Sequence, residues 1–318
     1  MERLAYPHSP LSSIRALSGL LQIPEKFLID IATNRDKYYK QNKPQPKSGG
    51  GVRITYRLDE KLKFIQRRIK SNIFNLVTYP NYLQGSIKDT SNPRTYDRDA
   101  AIHATSHFII SEDVSDFFHS IDEKYVMDMW KYLFHFSVDV SELLTRLTTY
   151  KGYVPQGGVT SSYLANLVLW DIETELVIEL NRIGLTYTRY VDDITLSARI
   201  NWLSQSNLEK AIKLIYVMLA KKGIRPNRKK HKIMSKSVRM TVHKLTINSG
   251  RPTMDKKRRN KIRLEVFNLK KFANACGRKS DEYQSQFNSV TGKVRELLKF
   301  HPSQGEKYLD QLLLIRPK

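Results

Sequence analysis

Tyr190-Val191-Asp192-Asp193 lies between two segments in which apolar and polar residues alternate. Gly184-Leu-Thr-Tyr-Thr-Arg-Tyr190 precedes it, and Ile194-Thr-Leu-Ser-Ala198 follows it. Alternation with a period of two on both sides of a short turn predicts a β-hairpin. Two adjacent carboxylates at a hairpin tip repel each other, and Asn-Gly or Asp-Gly is the more usual pair there. A divalent cation would remove the repulsion, and the alternative is an ordinary solvated acidic turn.

A third carboxylate ends another predicted strand. His107-Phe-Ile-Ile-Ser-Glu-Asp113 is largely apolar and ends on Asp113, and the residues after it favour a turn into a helix. If this strand neighbours the hairpin, Asp113, Asp192 and Asp193 meet at strand ends. Three such carboxylates are what a two-metal phosphoryl-transfer site needs. Spacing alone leaves the pairing of the strands open.

Charge is distributed unevenly along the chain. The net charge is +23, yet residues 221–279 hold 21 lysines and arginines against 2 acidic residues, whereas residues 101–200 hold 7 against 14. A basic flank beside an acidic centre predicts a nucleic acid held against a metal-loading site. A generally basic surface and a membrane-binding patch are the alternatives. The scarcity of amphipathic, aromatic-rich helix near the charge argues against a membrane.

Length and composition set further limits. The chain has 318 residues, of which 40% are hydrophobic, enough for one large or two modest domains. No stretch approaches the roughly 20 apolar residues that span a bilayer. The N-terminus lacks the apolar core of a signal peptide. The single cysteine, Cys276, excludes an intrachain disulfide and a cysteine-based metal cluster. We expect a cytoplasmic protein with no membrane partner.

Periodicity predicts the remaining elements. Residues 1–40 are expected to be helical from a start at Ser9-Pro10-Leu11. Residues 41–51 lack the ending of a phosphate-binding P-loop and are expected to form a hairpin tip. Apolar spacing predicts further helices over residues 58–75, 123–150, 161–183, 206–223, 253–275, 280–300 and 304–314. A domain boundary is expected near residue 250, at Asn248-Ser-Gly-Arg-Pro252.

Five sequence boxes, taken together and in order, resemble those of reverse transcriptases. Tyr190-Val-Asp-Asp193 resembles the Tyr-x-Asp-Asp box, and Asp113-Val-Ser-Asp-Phe-Phe-His-Ser-Ile121 resembles the first catalytic motif. Val154-Pro-Gln-Gly-Gly-Val-Thr-Ser-Ser-Tyr-Leu-Ala-Asn166 resembles the Pro-Gln-Gly motif that opens a palm helix. Gly223-Ile-Arg-Pro-Asn-Arg-Lys-Lys-His231 resembles the motif after the hairpin. Arg53-Ile-Thr-Tyr56, followed by Leu62-Lys-Phe-Ile-Gln66, resembles the fingers.

The resemblance implies an RNA-directed DNA polymerase with an α+β, right-hand fold. It places an N-terminal helical extension in residues 1–50 and part of the fingers in residues 51–110. Residues 111–250 would form the palm, an antiparallel sheet with helices, together with the rest of the fingers. Residues 251–318 would form a helical thumb.

The resemblance also implies the metal site. Asp113, Asp192 and Asp193 would bind two Mg²⁺ ions, with Mn²⁺ as a possible replacement. The backbone carbonyl of Val114 would complete the coordination of the second ion.

Residues around the incoming dNTP are implied in the same way. Phe118 would pack under the sugar and exclude a 2′-hydroxyl. Gln156 and Gly157 would contact the nucleotide and the template, Arg53 would grip the triphosphate, and Lys230 would protonate or neutralise the pyrophosphate. The simpler alternatives are core packing for Phe118, a surface position for Arg53 and a nucleic-acid backbone contact for Lys230.

The start of the expected thumb is strongly basic. Its candidate nucleic-acid contacts are Lys256, Lys257, Arg258, Arg259, Lys261 and Arg263. Contacts of this kind bind phosphates without reading sequence, and an RNA–DNA hybrid is recognised by its shape. A solvated basic face is the alternative.

The short length, the absence of an RNase H or integrase extension and the compact thumb resemble bacterial retron-type enzymes. Membership of that group implies a structured non-coding RNA as template and primer, a branched RNA-linked DNA product, and an effector protein encoded nearby in an anti-phage system. Other bacterial reverse transcriptases with a different primer, and an RNA-binding scaffold that restrains a toxic effector, are the alternatives.

Several boxes depart from the retron pattern. Asp99-Ala-Ala-Ile-His103 has Asp where Asn is usual, and Val242-His-Lys244 replaces Val-Thr-Gly. Val159 and Ser162 stand where prolines are usual after Pro-Gln-Gly. These departures bear on the subgroup and leave the polymerase chemistry intact.

Overall fold

A computed structural model describes residues 3–47, 50–199 and 204–317. By their internal contacts these residues divide into two compact units. The first comprises the described parts of residues 1–99 and 107–233, and the second comprises residues 100–106 with the described part of residues 234–318. The palm–thumb boundary expected near residue 250 stays a prediction.

The longest helices among the described residues are Gln205–Lys221, Lys256–Cys276 and Asp281–Phe300, and the strands have six residues or fewer. The helices are α1 (Ile14–Leu21), α2 (Glu25–Thr33), α3 (Glu60–Asn72), α4 (Tyr96–Ile102), α5 (Phe117–Ser120), α6 (Glu123–Asp128), α7 (Val138–Thr148), α8 (Ser161–Leu167), α9 (Glu173–Arg182), α10 (Gln205–Lys221), α11 (Lys256–Cys276), α12 (Asp281–Phe300) and α13 (Pro302–Leu313). The strands are β1 (Tyr39–Gln41), β2 (Gln45–Pro46), β3 (Val52–Arg53), β4 (Tyr56–Leu58), β5 (Leu83–Gln84), β6 (Phe108–Asp113), β7 (Leu185–Tyr190), β8 (Asp193–Ala198), β9 (Lys232–Ser235), β10 (Thr241–Val242) and β11 (Leu245–Thr246).

The central sheet is mixed, and the expectation of an antiparallel sheet was wrong at one edge. Four of its five strands lie wholly in the first unit, in the order β5-β7-β8-β6. β6 and β7 both pair antiparallel with β8, but β5 runs parallel to β7. A parallel neighbour needs a long crossover, and about a hundred residues separate β5 from β7 along the chain.

Three predicted helices differ from the structure. The first helix begins at Ile14, because the Ser13 hydroxyl, not Ser9, caps it by accepting from the Ala16 N–H at 3.2 Å. A π-helical turn at Met129–Leu133 and a left-handed His135 (φ 56°) interrupt the helix expected over 123–150.

The long helix expected over 161–183 is also broken, into α8 and α9. Between them the chain forms tight turns, with hydrogen bonds from Trp170 N–H to the Leu167 carbonyl and from Ile172 N–H to the Leu169 carbonyl. The break places Glu173 at the start of α9, where it is fully buried.

The hairpin tip expected within residues 41–51 is confirmed by antiparallel pairing of β2 with β3. Ser48 and Gly49, which the prediction also included, lie outside the described residues. In the second unit, α11, α12 and α13 agree closely with the three helices expected there. Across the part of the chain that the structure describes, no helix has both the length and the apolar character needed to cross a bilayer.

Candidate active site

The predicted hairpin is confirmed as β7 and β8. Tyr190 pairs with Asp193, so the turn between the strands consists of Val191 and Asp192 alone. Val191 has φ 59°, in the left-handed region. A β-branched residue rarely adopts this conformation, because its side chain crowds the backbone. The tip of the hairpin is therefore a strained turn.

The strand that ends at Asp113 lies directly beside this hairpin. β6 pairs antiparallel with β8, and the register sets Asp113 opposite Asp193. The Val114 N–H donates a hydrogen bond to the Asp192 carbonyl at 3.2 Å. The pairing that spacing alone left open thus brings the three predicted aspartates to neighbouring strand ends.

The segment after α10 packs against the same strand end. The Asn227 N–H donates to the Asp113 carbonyl at 2.7 Å, and the Ser115 N–H donates to the Arg225 carbonyl at 2.9 Å. The Asp113 carboxylate accepts from the Asn227 amide at 3.1 Å and pairs with the Lys230 ammonium at 2.9 Å. Lys230, named from the sequence, therefore lies at the site. Asn227 was missed, although it belongs to the Gly-Ile-Arg-Pro-Asn box.

Several charged side chains lie close together at these strand ends. Burial, and then the negative charge of Asp113, raises the pKa of the Asp192 carboxyl, although Lys230 and Arg53 act in the opposite direction. The hydrogen bond to Asp113 raises the pKa of Lys230, and the charges of Asp193 and Asp192 add to the effect. All three carboxylates thus lie within electrostatic reach of one ammonium group.

The donor set fits a hard divalent cation. Carboxylate and carbonyl oxygens are the ligands such ions prefer, and the raised pKa of Asp192 shows that its charge is disfavoured without further positive charge. Within residues 3–47, 50–199 and 204–317, no three His, Cys, Asp or Glu side chains are already arranged around a metal position. The Asp113 carboxylate instead faces Asn227 and Lys230.

A cavity of about 740 Å³ opens in front of these strand ends. Its walls come from the β2–β3 hairpin, the segment after β6, the Pro-Gln-Gly loop and the loop that carries Lys230. The predicted site residues that line it are Arg53, Asp113, Val114, Phe118, Gln156, Asp192 and Lys230. One concave space thus joins Asp113, Val114 and Asp192 to most of the candidate nucleotide contacts, whereas Asp193 is not among the described residues that line it.

Gly157 is not among the described residues that line this cavity. Its backbone packs against β4, and a Cβ atom at this position would lie 2.3 Å from the Tyr56 carbonyl oxygen. The Tyr56 N–H donates to the Gln156 carbonyl at 2.8 Å. Gly157 therefore lets two backbones approach, and this approach sets the position of Gln156 in the cavity.

Two further contacts were missed from the sequence, and the first of them lies at the cavity. Lys47, beside the β2–β3 tip, forms an ion pair with Asp116. Asp116 has φ 45° and lies in the quoted first motif, three residues after Asp113. The second contact is made by Arg189 with Glu173, both fully buried. The sequence did contain a signal for this pair, because Arg189 is the one charged residue in its predicted strand.

The basic residues of α11 lie in the second unit. Lys256, Lys257, Lys261 and Arg263 are exposed. Arg258 pairs with Glu296 at 2.5 Å, and the Arg259 guanidinium donates to Gln304 at 3.3 Å. The helix therefore presents cations to solvent beside two arginines that also stabilise the helical packing.

Comparison with known proteins identifies the family to which the chain belongs. Residues 45–245 match the reverse transcriptase (RNA-dependent DNA polymerase) family. The chain therefore belongs to this family and is an RNA-directed DNA polymerase.

Individual relatives narrow the class. The Retron Se72 reverse transcriptase of Salmonella heidelberg is 34% identical over 300 residues, covering 93% of this chain and 78% of that protein. The Retron Ec48 reverse transcriptase of Escherichia coli is 31% identical over 320 residues, covering 98% and 78%. The chain is thus a bacterial retron-type reverse transcriptase. An apo telomerase structure from Candida tropicalis covers 73% of this chain and 61% of its own at 12% identity, with a TM-score of 0.44, too low to carry an argument.

Proposed function

We propose that this enzyme copies a structured non-coding RNA of its own retron into branched, RNA-linked single-stranded DNA, and that it acts in anti-phage defence with an effector encoded nearby. The similarity to retron reverse transcriptases over nearly the whole chain supports the retron setting. We expect the reaction to take place in the cytoplasm, where the transcript is made.

The observation that carries the catalytic part is the pairing of Asp113 with Asp193 beside the Asp192 turn. These three carboxylates and the Val114 carbonyl would hold two Mg²⁺ ions, which Mn²⁺ can replace. When bound, such ions lower the pKa of an attacking hydroxyl and stabilise the leaving oxygen. The protein contributes a fixed set of oxygens at the end of a rigid sheet.

Lys230 and Arg53 would act on the triphosphate. Both line the cavity. Because the pKa of Lys230 is raised while it is paired with Asp113, its ammonium is a weaker acid than an ordinary lysine. This favours neutralising the charge of the pyrophosphate over donating a proton to it. Arg53 suits the same charge, because a guanidinium can bind phosphate oxygens in pairs.

Phe118 and Gln156 would position the dNTP. Both line the cavity, and Phe118 is half-buried there, so part of its side chain is available to a sugar. A ring under the sugar excludes a 2′-hydroxyl by its bulk. Phe118→Ala should therefore raise the use of rNTPs relative to dNTPs by about tenfold or more. Equal discrimination in the variant and the wild type, by single-nucleotide extension, would assign Phe118 to packing alone.

The remaining assignments follow the same proposal. The first unit would contain fingers and palm, and the helices α11 to α13 would be the thumb. The exposed lysines and Arg263 of α11 would contact phosphates of the RNA and of the RNA–DNA product, which positions a duplex without reading its sequence.

Asp113→Asn tests the catalytic assignment. The variant should lose DNA synthesis on an RNA template while it keeps its affinity for RNA, because only one ligand oxygen and its charge are removed. Asp139→Asn is the matched control, since it makes the same change at an exposed position in the first turn of α7. Synthesis by Asp113→Asn at the level of this control would exclude the metal site.

The product tests the retron assignment separately. Nucleic acid that co-purifies with the protein from its native host should contain DNA joined to RNA through a 2′-linked branch. Sequencing across that junction identifies the priming nucleotide. Unbranched DNA, or DNA from another primer, would support a different class of bacterial reverse transcriptase.

A further inference from the structure

Arg189 is a fully buried arginine on β7, two residues before the turn. Its guanidinium pairs twice with Glu173, Nε to Oε1 at 2.5 Å and Nη2 to Oε2 at 2.7 Å. The Tyr187 hydroxyl donates to the same carboxylate at 2.7 Å. Both charges are thus neutralised and hydrogen-bonded within the protein, as burial requires.

The rest of the guanidinium binds backbone carbonyls from two functional segments. Nη1 donates to the carbonyls of Ala165 and Val191, both at 3.1 Å, and Nη2 donates to the Asn166 carbonyl at 3.0 Å. Ala165 and Asn166 lie in α8, the helix that follows the Pro-Gln-Gly loop, and Val191 lies in the turn. One rigid, planar group therefore fixes the turn relative to that helix.

The turn needs such a restraint. Val191 is held at φ 59°, and a strained residue keeps its conformation only when its surroundings impose it. Asp192, the next residue, is partly buried and lies close to the negative charge of Asp113, and this repulsion gives the turn a second reason to rearrange. The Val191 carbonyl is the group that Arg189 holds.

We infer that Arg189, oriented by Glu173, is a positioning residue that fixes Asp192 and Asp193 for metal binding. The inference rests on the proposed two-metal function of these carboxylates. A purely structural role is the competing explanation, since a buried ion pair can often be replaced by apolar residues without loss of the fold. The two explanations differ in what happens to metal binding in a folded variant.

Two variants distinguish the positioning role of Arg189 from a purely structural role. Arg189→Lys keeps a positive charge for Glu173 but cannot reach three carbonyls with one ammonium. Arg189→Met combined with Glu173→Met removes both charges and leaves neither buried alone. The matched control is Lys222→Met with Asp171→Met, which removes another ion pair of the first unit, with a 2.8 Å contact and a buried lysine.

The readout is Mn²⁺ affinity, measured by electron paramagnetic resonance on purified protein, together with steady-state kinetics. Both Arg189 variants should bind Mn²⁺ about tenfold or more weakly, the usual effect of losing a group that orients metal ligands. The kcat should fall while the KM for dNTP and the affinity for RNA stay near those of the wild type. The control pair should leave Mn²⁺ affinity unchanged.

Folded Arg189 variants that bind Mn²⁺ as tightly as the control would overturn the inference. So would failure of both variants to fold, because the pair would then be an element of stability. If Asp113→Asn abolishes synthesis in the same assays, the proposed function survives either result. If the wild-type chain binds no Mn²⁺, both the metal assignment and the positioning role are wrong.

Discussion

Gly157→Ala is the substitution whose consequence follows most directly from the geometry. Gly157 has φ 115°, and a Cβ atom there would lie 2.3 Å from the Tyr56 carbonyl oxygen and 3.3 Å from the Tyr56 nitrogen. Real Cβ contacts essentially never fall below 3.0 Å. The neighbouring atom is backbone and cannot swing away as a side chain would. Relief therefore requires β4 and the Pro-Gln-Gly loop to separate.

Two terms contribute to the expected loss of stability. A non-glycine residue in this backbone region costs about 1–3 kcal/mol. Separation also lengthens the 2.8 Å hydrogen bond from the Tyr56 N–H to the Gln156 carbonyl, which contributes about 1 kcal/mol. We expect the free energy of unfolding to fall by about 2–4 kcal/mol.

Gly152→Ala is the matched control. Gly152 also has a positive φ, 81°, but no atom lies within 4 Å of a Cβ built there. It should show only the conformational cost of a left-handed residue, about 1–2 kcal/mol. Comparing the two variants isolates the effect of the Tyr56 contact.

Urea unfolding of both variants measures the difference, and dNTP titration measures its effect on the site. Because Gln156 lines the cavity, Gly157→Ala should also raise the KM for dNTP, whereas Gly152→Ala should not. Equal unfolding midpoints and equal KM values for the two variants would refute this account of the Pro-Gln-Gly loop.

Two further predictions concern charge. Burial, then Asp113, raises the pKa of Asp192, so its ionised form destabilises the folded state above that pKa; Asp192→Asn should raise the Tm at neutral pH while abolishing synthesis. In thermal melts between about pH 4 and pH 8, the difference in Tm between the variant and the wild type should narrow as the pH falls and Asp192 takes up a proton. A difference in Tm that does not change with pH would contradict the raised pKa of Asp192. Lys256→Ala with Lys261→Ala should weaken RNA binding and reduce the slope of log K against log salt by about two. The Arg258 guanidinium already pairs with a glutamate of α12, so Arg258→Ala should mainly lower the Tm. Anisotropy titrations of RNA binding at several salt concentrations distinguish the loss of a phosphate contact from this loss of stability.

The parts of the site that could be predicted are those that depend on the residue pattern within one short segment. Period-two alternation around an acidic tip is sufficient to predict β7 and β8, and an apolar run ending on Asp113 is sufficient to predict β6. Which strands pair depends on contacts between distant segments. The order of the sequence boxes, through the family resemblance, supplied what the periodicity could not.

Helix continuity was the weakest part of the prediction, for a physical reason. Residues 161–183 keep an apolar helical period throughout, so nothing local marks the break between α8 and α9. Glu173 looks like a solvent-facing position in that pattern. Its burial depends on Arg189, sixteen residues later, and a period computed along one segment carries no information about such a partner.

Features of the sequence that are unfavourable for stability nevertheless indicated where the candidate site lies. Two aspartates at a hairpin tip are a poor choice for stability, and the structure adds a left-handed Val191 and a partly buried Asp192 to that cost. The compensation comes from Arg189, which binds the Val191 carbonyl and is itself held by Glu173. A fold selected for stability alone would replace the turn and would then have no use for a buried arginine beside it. The strained turn and its buried restraint are therefore best explained together, as parts of one arrangement that holds carboxylates where they would not otherwise stay.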